Sequence, residues 1–292
     1  VLGLGRSGMT SARALNASGA KVICWDDDPE KRSLASSQGL RVIGSVSDFD
    51  WESIDRLIIS PGVPHHFPLP HPIVSAAVSA GVLIDNDVGL FFQSIATKSW
   101  DKFSVRPRIV AVTGSNGKST TASLLHHIFL KLGYKSQLAG NIGRGVLDID
   151  PPENNELLVL ELSSYQIEVA RILSPDLAIF TNFSADHLER HGGIGGYLAA
   201  KRRLFTEGCP DYSIIGVNEL AGLNLAQQLS ASIGDESIIR VSATKQMRRF
   251  DWSIFLDAGY LVEHRKGKQI NSTDLKVFDN FVGPHSYQNA AS

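Results

Sequence analysis

The sequence predicts an α/β fold of two successive doubly wound domains, since short β-branched runs alternate with helix-period segments and each half opens on a glycine-rich turn. Length agrees, because 292 residues can close two cores when domains most often run to about 100–150 residues. Runs over residues 21–25, 55–60 and 82–84 read as strands of the first sheet, and runs over 108–113, 157–162, 177–181 and 212–217 as strands of the second. Residues 94–108 are polar and basic and contain Pro107, which suits a linker and divides the chain into 1–97 and 98–292. Beyond residue 217 the patterns shorten; runs over 250–256 and 260–263, separated by a turn at Ala258-Gly259, predict a small antiparallel addition. The chain opens inside a strand and stops at Ala290-Ala291-Ser292, where a helix would ordinarily continue, so further residues are expected at both ends.

A content of 43% hydrophobic and 20% charged residues is that of a soluble globular protein. With a formal net charge of -2 there is no electrostatic case for nucleic acid or a membrane surface, so small-molecule partners are expected. Cys24 and Cys209 cannot build a disulfide framework or a cysteine metal site, which fits a reducing cytoplasm. No apolar run approaches the roughly 20 residues needed to span a bilayer.

The first glycine turn, Gly3-Leu4-Gly5-Arg6-Ser7-Gly8, matches G-x-G-x-x-G between a strand and a small-residue helix, with Asp26 ending the next strand. Such a Rossmann-like turn brings backbone N–H groups and a helix amino terminus against a diphosphate. A dinucleotide such as NAD, another nucleotide, or a tight turn without ligand all remain open on this motif alone. The second turn, Thr113-Gly114-Ser115-Asn116-Gly117-Lys118-Ser119-Thr120, sits between a β-rich run and a segment carrying Leu124, Leu125 and Ile128 at helical spacing. It departs from the strict Walker pattern, Val112 standing where the first glycine belongs. Backbone donors, the Lys118 ammonium and the hydroxyls of Ser119 and Thr120 still supply ligands for a triphosphate and Mg2+. The second domain is therefore expected to be a P-loop-type mononucleotide-binding α/β domain.

This second turn is similar to the ATP loop of the Mur ligase family, whose members join amino acids to a UDP-muramoyl peptide. The blocks Gly140-Asn141-Ile142-Gly143, Glu161-Leu162-Ser163-Ser164-Tyr165-Gln166, Asn182 with Asp186-His187, Ala199-Ala200-Lys201 and His285-Ser286-Tyr287-Gln288-Asn289 follow in the family's order. The resemblance covers essentially the whole chain but not the family's third domain, so low turnover is expected of this chain by itself. Within the family, the Glu161 block and the first glycine turn resemble the member that adds D-glutamate to UDP-N-acetylmuramoyl-L-alanine. The resemblance implies an ATP-dependent, cytoplasmic and monomeric ligase of peptidoglycan-precursor synthesis, with two Mg2+ ions and an acyl phosphate intermediate.

It also implies roles for particular residues. Gly114, Ser115, Asn116, Gly117, Lys118, Ser119 and Thr120 would hold the ATP phosphates and Asn289 the adenine. Ser119 and Glu161 would hold the first Mg2+, and His187 with a carbamylated Lys201 the second; an unmodified ammonium has no lone pair to ligate with. Lys118, Glu161, His187 and Lys201 are then the catalytic set. Asn141, Ser163, Gln166 and His187 would contact the muramoyl substrate, and Gly5, Arg6, Ser7, Asp26 and Ser60, with Asp27 beside them, the uridine diphosphate. Two positions depart from the family's pattern: Ser286 replaces an asparagine, and Gly89 stands where an acidic residue is common.

His65, His66 and His71 lie among prolines and read as a polar surface loop in preference to a metal site. His126 and His127 are adjacent and cannot share a helix face, and His187 with His191 does not make H-E-x-x-H. A ligase adding another amino acid is the nearest alternative reading, and a nicotinamide oxidoreductase built on the first glycine turn is a remoter one.

Overall fold

The computed structural model describes residues 1–45, 49–96, 102–277 and 284–292; the expected division at 97/98 and Gly283 fall outside these, as do the side chains of His285 and Ser286. The amino-terminal part contains α1 (Arg6–Ala17), α2 (Pro29–Ser37), β1 (Arg56–Ile58), α3 (Pro72–Ser79), β2 (Leu83–Asp85) and α4 (Asp87–Ala96). Among the described residues of this part, only β1 and β2 form a ladder, and it is parallel. Single parallel bridges join Leu2 to Ile59 and to Trp25, and Cys24 to Val42. These rows stand in the spatial order Val42, Trp25, Leu2, β1, β2, the 3-2-1-4-5 arrangement of a doubly wound nucleotide fold. The strand expected over 21–25 is thus reduced to two bridges. Its hydrogen bonds to Val1 O and from Gly3 N are made at 2.9 and 2.8 Å, but the pairing is too short for a ladder. Apolar side chains cover both faces, with Leu57, Ile59, Ile73 and Val82 in one cluster and Leu4, Met9, Ala12 and Cys24 in another.

Helix α1 can approach the first row so closely because Gly8 has no side chain. A Cβ there would lie 1.7 Å from Gly3 O and 2.7 Å from Ser60 Oγ. Gly8→Ala should therefore force the backbone apart and cost about 3 kcal/mol or more, read as a fall in the urea midpoint.

The remainder contains β3 (Arg108–Thr113), α5 (Lys118–Lys131), β4 (Ser136–Gly140), β5 (Leu157–Glu161), α6 (Ser164–Val169), β6 (Leu177–Phe180), α7 (Ile194–Thr206), β7 (Tyr212–Gly216), α8 (Leu220–Ile233), β8 (Ile238–Ser242), β9 (Trp252–Asp257), β10 (Tyr260–Arg265), β11 (Lys268–Asp274) and α9 (Pro284–Ala291). The strands form one nine-stranded sheet ordered β11-β10-β9-β8-β7-β6-β3-β5-β4. It is parallel from β4 to β9, and β9, β10 and β11 are antiparallel, so the expected addition extends the main sheet.

Three of these strands escape the sequence reading, each for its own reason. In β4, Ser-Gln-Leu-Ala-Gly is weakly apolar; Gln137 covers the sheet edge by accepting from Asp150 N at 2.9 Å and from Arg144 at 2.5 Å. In β8 the apolar run is broken by Arg240, buried at 4% exposure and paired to Asp235. The residues of β11 are nearly all exposed, and the strand is held by its ladder to β10.

Strand β3 is central, with β5 and β4 on one side and β6 on the other, so the chain reverses its growth across the sheet there. Crevices at such switch points, outside the carboxyl ends of the strands, are where ligands bind in open α/β sheets.

Candidate active site at the carboxyl end of the central strands

The loop after β3 emerges between the ends of β5 and β6, and both neighbours hold it. Asn182, just past β6, accepts from Asn116 N at 2.9 Å through Oδ1, donates to Asn116 O at 2.9 Å through Nδ2, and accepts from Ser115 N at 2.9 Å through its carbonyl. Thr181 Oγ1 donates to the same Asn116 carbonyl at 2.7 Å, and Ser184 N to Ser115 Oγ at 3.0 Å. Gly114 runs at φ 142 with a virtual Cβ 2.0 Å from Thr181 Oγ1, and Gly117 at φ 79 with one 2.2 Å from Asn289 Oδ1. Both glycines are required by close approach. Asn289, the expected adenine contact, thus sits directly on the loop. Asn182→Ala would leave two loop backbone groups without these partners and should raise the KM for ATP about tenfold with little change in global stability.

Beyond the loop, Ser119 Oγ donates to Glu161 Oε2 at 2.9 Å, and Asn141 Nδ2 reaches Glu161 Oε1 at 3.4 Å. Glu161 ends β5 and is 1% exposed, so its carboxylate is a buried strand-end group aimed at the first turn of α5. A hard-oxygen pair of this kind fits Mg2+. Lys118 Nζ folds back onto Ser115 O at 2.9 Å, and burial holds its pKa below the usual lysine value.

Lys201 of α7 is 1% exposed, with Nζ 2.6 Å from Gly114 O and 4.5 Å from the Tyr197 ring centroid. Burial, reinforced by the Lys118 charge, brings its pKa down from 10.5 to about 7. His187, at φ 50, points Nε2 to Asp186 Oδ2 at 3.3 Å and lies 5.2 Å from the Tyr165 ring. As they stand, His187 and an ammonium at Lys201 do not fit a second cation, and the described residues contain no group of three His, Cys, Asp or Glu poised to bind one.

The amino-terminal substrate residues meet at a cleft of about 450 Å³ lined by Gly5, Arg6, Ser7, Asp26, Asp27 and Ser60, with Lys31 and His71 at its rim. Within it Asp26 is largely committed, accepting from Leu4 N at 2.6 Å and from Asp28 N at 2.9 Å. Ser60 Oγ donates to Gly3 O at 2.7 Å. Ser163 and Gln166 form a reciprocal capping box at the start of α6, and Gln166 is 1% exposed, so the structure gives this pair a scaffolding duty. Gly89 backs onto Asp85, its virtual Cβ falling 1.9 Å from Asp85 Oδ1, so an acidic side chain has no room there.

Sequence reasoning missed several contacts, two of which, Arg190 to Gly62 and His65 to Glu168, join the two parts of the chain. His191, 2% exposed, has Nε2 2.9 Å from Ser164 Oγ and Nδ1 3.0 Å from Glu168 Oε2, and it stacks on Tyr165. Arg190 donates to Gly62 O at 3.0 Å. Arg203 donates to Ile167 O at 2.7 Å and Ala170 O at 2.9 Å, tying α7, and with it Lys201, to the carboxyl end of α6. His65 faces Glu168 at 3.6 Å, His71 pairs with Asp27 at 3.0 Å, and His126 with Ser136 at 2.9 Å. Arg190 and His191 gave no sequence signal beyond polar residues outside the regular helices, and His126 and Arg203 none beyond a polar position on a helix.

The model of the Mur ligase middle domain matches residues 112–292. Two curated relatives named UDP-N-acetylmuramoylalanine--D-glutamate ligase, from Cereibacter sphaeroides strain KD131 and Roseobacter denitrificans, are 54% and 55% identical to it over 100% of the chain and 63% of their own length. The chain therefore spans a little under two thirds of the relatives it matches. Among solved structures, one titled as a UDP-N-acetylmuramoyl-L-alanyl-D-glutamate--2,6-diaminopimelate ligase shares the fold at a TM-score of 0.52 and 19% identity, over 75% of this chain and 52% of that one. With a family model spanning the phosphate loop, Glu161, Lys201 and Asn289, the chain belongs to the Mur ligase family.

Proposed function

We propose that this chain forms the amino-terminal and central domains, dividing at 97/98, of an ATP-dependent ligase that adds D-glutamate to UDP-N-acetylmuramoyl-L-alanine in the cytoplasm. The observation that carries it is the convergence of Lys118, the Ser119–Glu161 pair and buried Lys201 around one phosphate loop. The relatives' printed name supplies the substrates.

A carboxylate does not condense with an amine in water, because oxide is a poor leaving group; phosphorylating it first creates an acyl phosphate whose phosphate leaves when the amine attacks. That first step needs positioning and charge neutralisation more than bond-making groups from the protein. Lys118 turns from Ser115 O toward the β- and γ-phosphates, and the loop amides cradle the rest. Ser119 and Glu161 would hold Mg2+, whose charge would neutralise that developing on the phosphates. Near neutral pH, Lys201 is in part a free amine that can add CO2 with loss of a proton, and the resulting carbamate would supply the oxygen donors that a second Mg2+ needs beside His187. The cleft at Gly5, Arg6 and Ser7 takes the uridine diphosphate, with phosphates toward the amino terminus of α1.

The test is ATP-derived phosphate release by the full-length enzyme with UDP-N-acetylmuramoyl-L-alanine and a panel of amino acids. Release stimulated by D-glutamate and not by L-glutamate supports the reading; stimulation by another amino acid would reassign the specificity. The oxidoreductase alternative is disfavoured because both Asp26 oxygens accept backbone N–H groups in place of a ribose.

A further inference from the structure

Arg6 is the first residue of α1, where a cation opposes the helix dipole, and the first turn itself contains no acidic residue. Its side chain is exposed, lines the amino-terminal cleft, and reaches into the other part of the chain. There its guanidinium donates to Asn141 O at 2.7 Å, Gly143 O at 3.3 Å and Gly140 O at 3.4 Å. Three carbonyls converge on one cation. The loop that presents them is anchored on the strand bearing Glu161: Asn141 N donates to Glu161 O at 2.9 Å, and Gly140, at φ 111, lies so close to that carbonyl that a Cβ would stand 2.1 Å from it. The Asn141 side chain then rests on Glu161 Oε1 at 3.4 Å, a long contact that is given up cheaply, while Ser119 occupies Oε2 at 2.9 Å. Both carboxylate oxygens are thus engaged by protein donors while Arg6 clamps the loop.

We propose that Arg6 is a positioning residue that couples the two sites: a diphosphate in the amino-terminal cleft draws its guanidinium off the Gly140, Asn141 and Gly143 carbonyls, the loop relaxes, and Asn141 leaves Glu161 free to take Mg2+. A phosphate offers the guanidinium a full negative charge and bidentate geometry, which the neutral carbonyls lack, and this sets the direction of the exchange. The coupling is positive and reciprocal: UDP tightens Mg·ADP, and Mg·ADP tightens UDP by the same factor. The inference rests on the reading of the cleft as a nucleoside-diphosphate site.

Calorimetric titration of Mg·ADP into the protein, alone and at saturating UDP, tests it. In the unaltered protein UDP should tighten Mg·ADP by about fivefold or more. Arg6→Met should bind Mg·ADP that tightly without UDP, because the clamp is already open; a residue that merely bound substrate or stabilised the fold would not produce a gain. Asn141→Ala leaves the cleft intact and should show the same gain and no further response to UDP. With EDTA replacing Mg2+, ADP affinity should be insensitive to UDP in every variant. UDP that binds but leaves Mg·ADP affinity unchanged, or variants that keep the coupling, would overturn the proposal. Failure of UDP to bind the unaltered protein would instead overturn the reading of the cleft on which it depends.

Discussion

Lys118→Ala is expected to lower phosphoryl transfer from ATP by at least about 10²–10³-fold while leaving the protein folded. The side chain gives up one hydrogen bond, to Ser115 O, so the stability cost is about 1 kcal/mol. The catalytic cost is larger because an ammonium placed among phosphates is worth more in the transition state, where charge shifts between oxygens, than in the resting loop; loss of one such donor typically costs about 3–4 kcal/mol. Lys118→Arg should rescue little, since a planar fork cannot occupy the place of a compact ammonium. ADP formation in single turnover, with a denaturant melt as control, measures both effects. Undiminished ADP formation by Lys118→Ala would remove the loop from the mechanism.

How much of this was legible in the sequence depends on range. The phosphate loop is local, a glycine turn between a β-run and a helix, so its residues and its lysine could be read directly. Glu161 was legible as the polar end of an apolar strand, but its contact with Ser119 needs β5 to lie beside β3, which only the sheet order supplies. The same holds for Asn182: it braces the loop because β6 is the other neighbour of β3, and nothing in its local sequence announces this. Ser163 and Gln166 carry a second role: expected as substrate contacts through a family block, they also cap α6, which their S-x-x-Q spacing advertises. Arg6 stood inside a recognised motif, but its reach to the loop at 140–143 is a contact across more than 130 residues, beyond any periodicity argument.

Lys201→Met separates function from stability most sharply. A buried lysine whose pKa falls from 10.5 unfolded to about 7 folded penalises the native state by about 4–5 kcal/mol at and below pH 7. The sign follows from proton counts: between pH 7 and 10.5 the unfolded chain binds the proton that the folded chain has lost, so stability rises with pH through that window and the penalty vanishes near its upper end. Methionine fills similar volume with no charge to desolvate, though it leaves Gly114 O without the 2.6 Å bond, a loss of about 1–3 kcal/mol. The balance favours the variant by roughly 1–3 kcal/mol at pH 6–7 in bicarbonate-free buffer, and that advantage should disappear or reverse by pH 10. Urea melts of both proteins across this range give the comparison, and a variant less stable than its parent at pH 6 would contradict the buried-ammonium account. Turnover should move the other way, falling by 10²-fold or more, since methionine can neither add CO2 nor offer an oxygen donor beside His187. A residue retained at a cost to the fold is one held for chemistry, and a more stable, inactive Lys201→Met protein would be the direct sign of it.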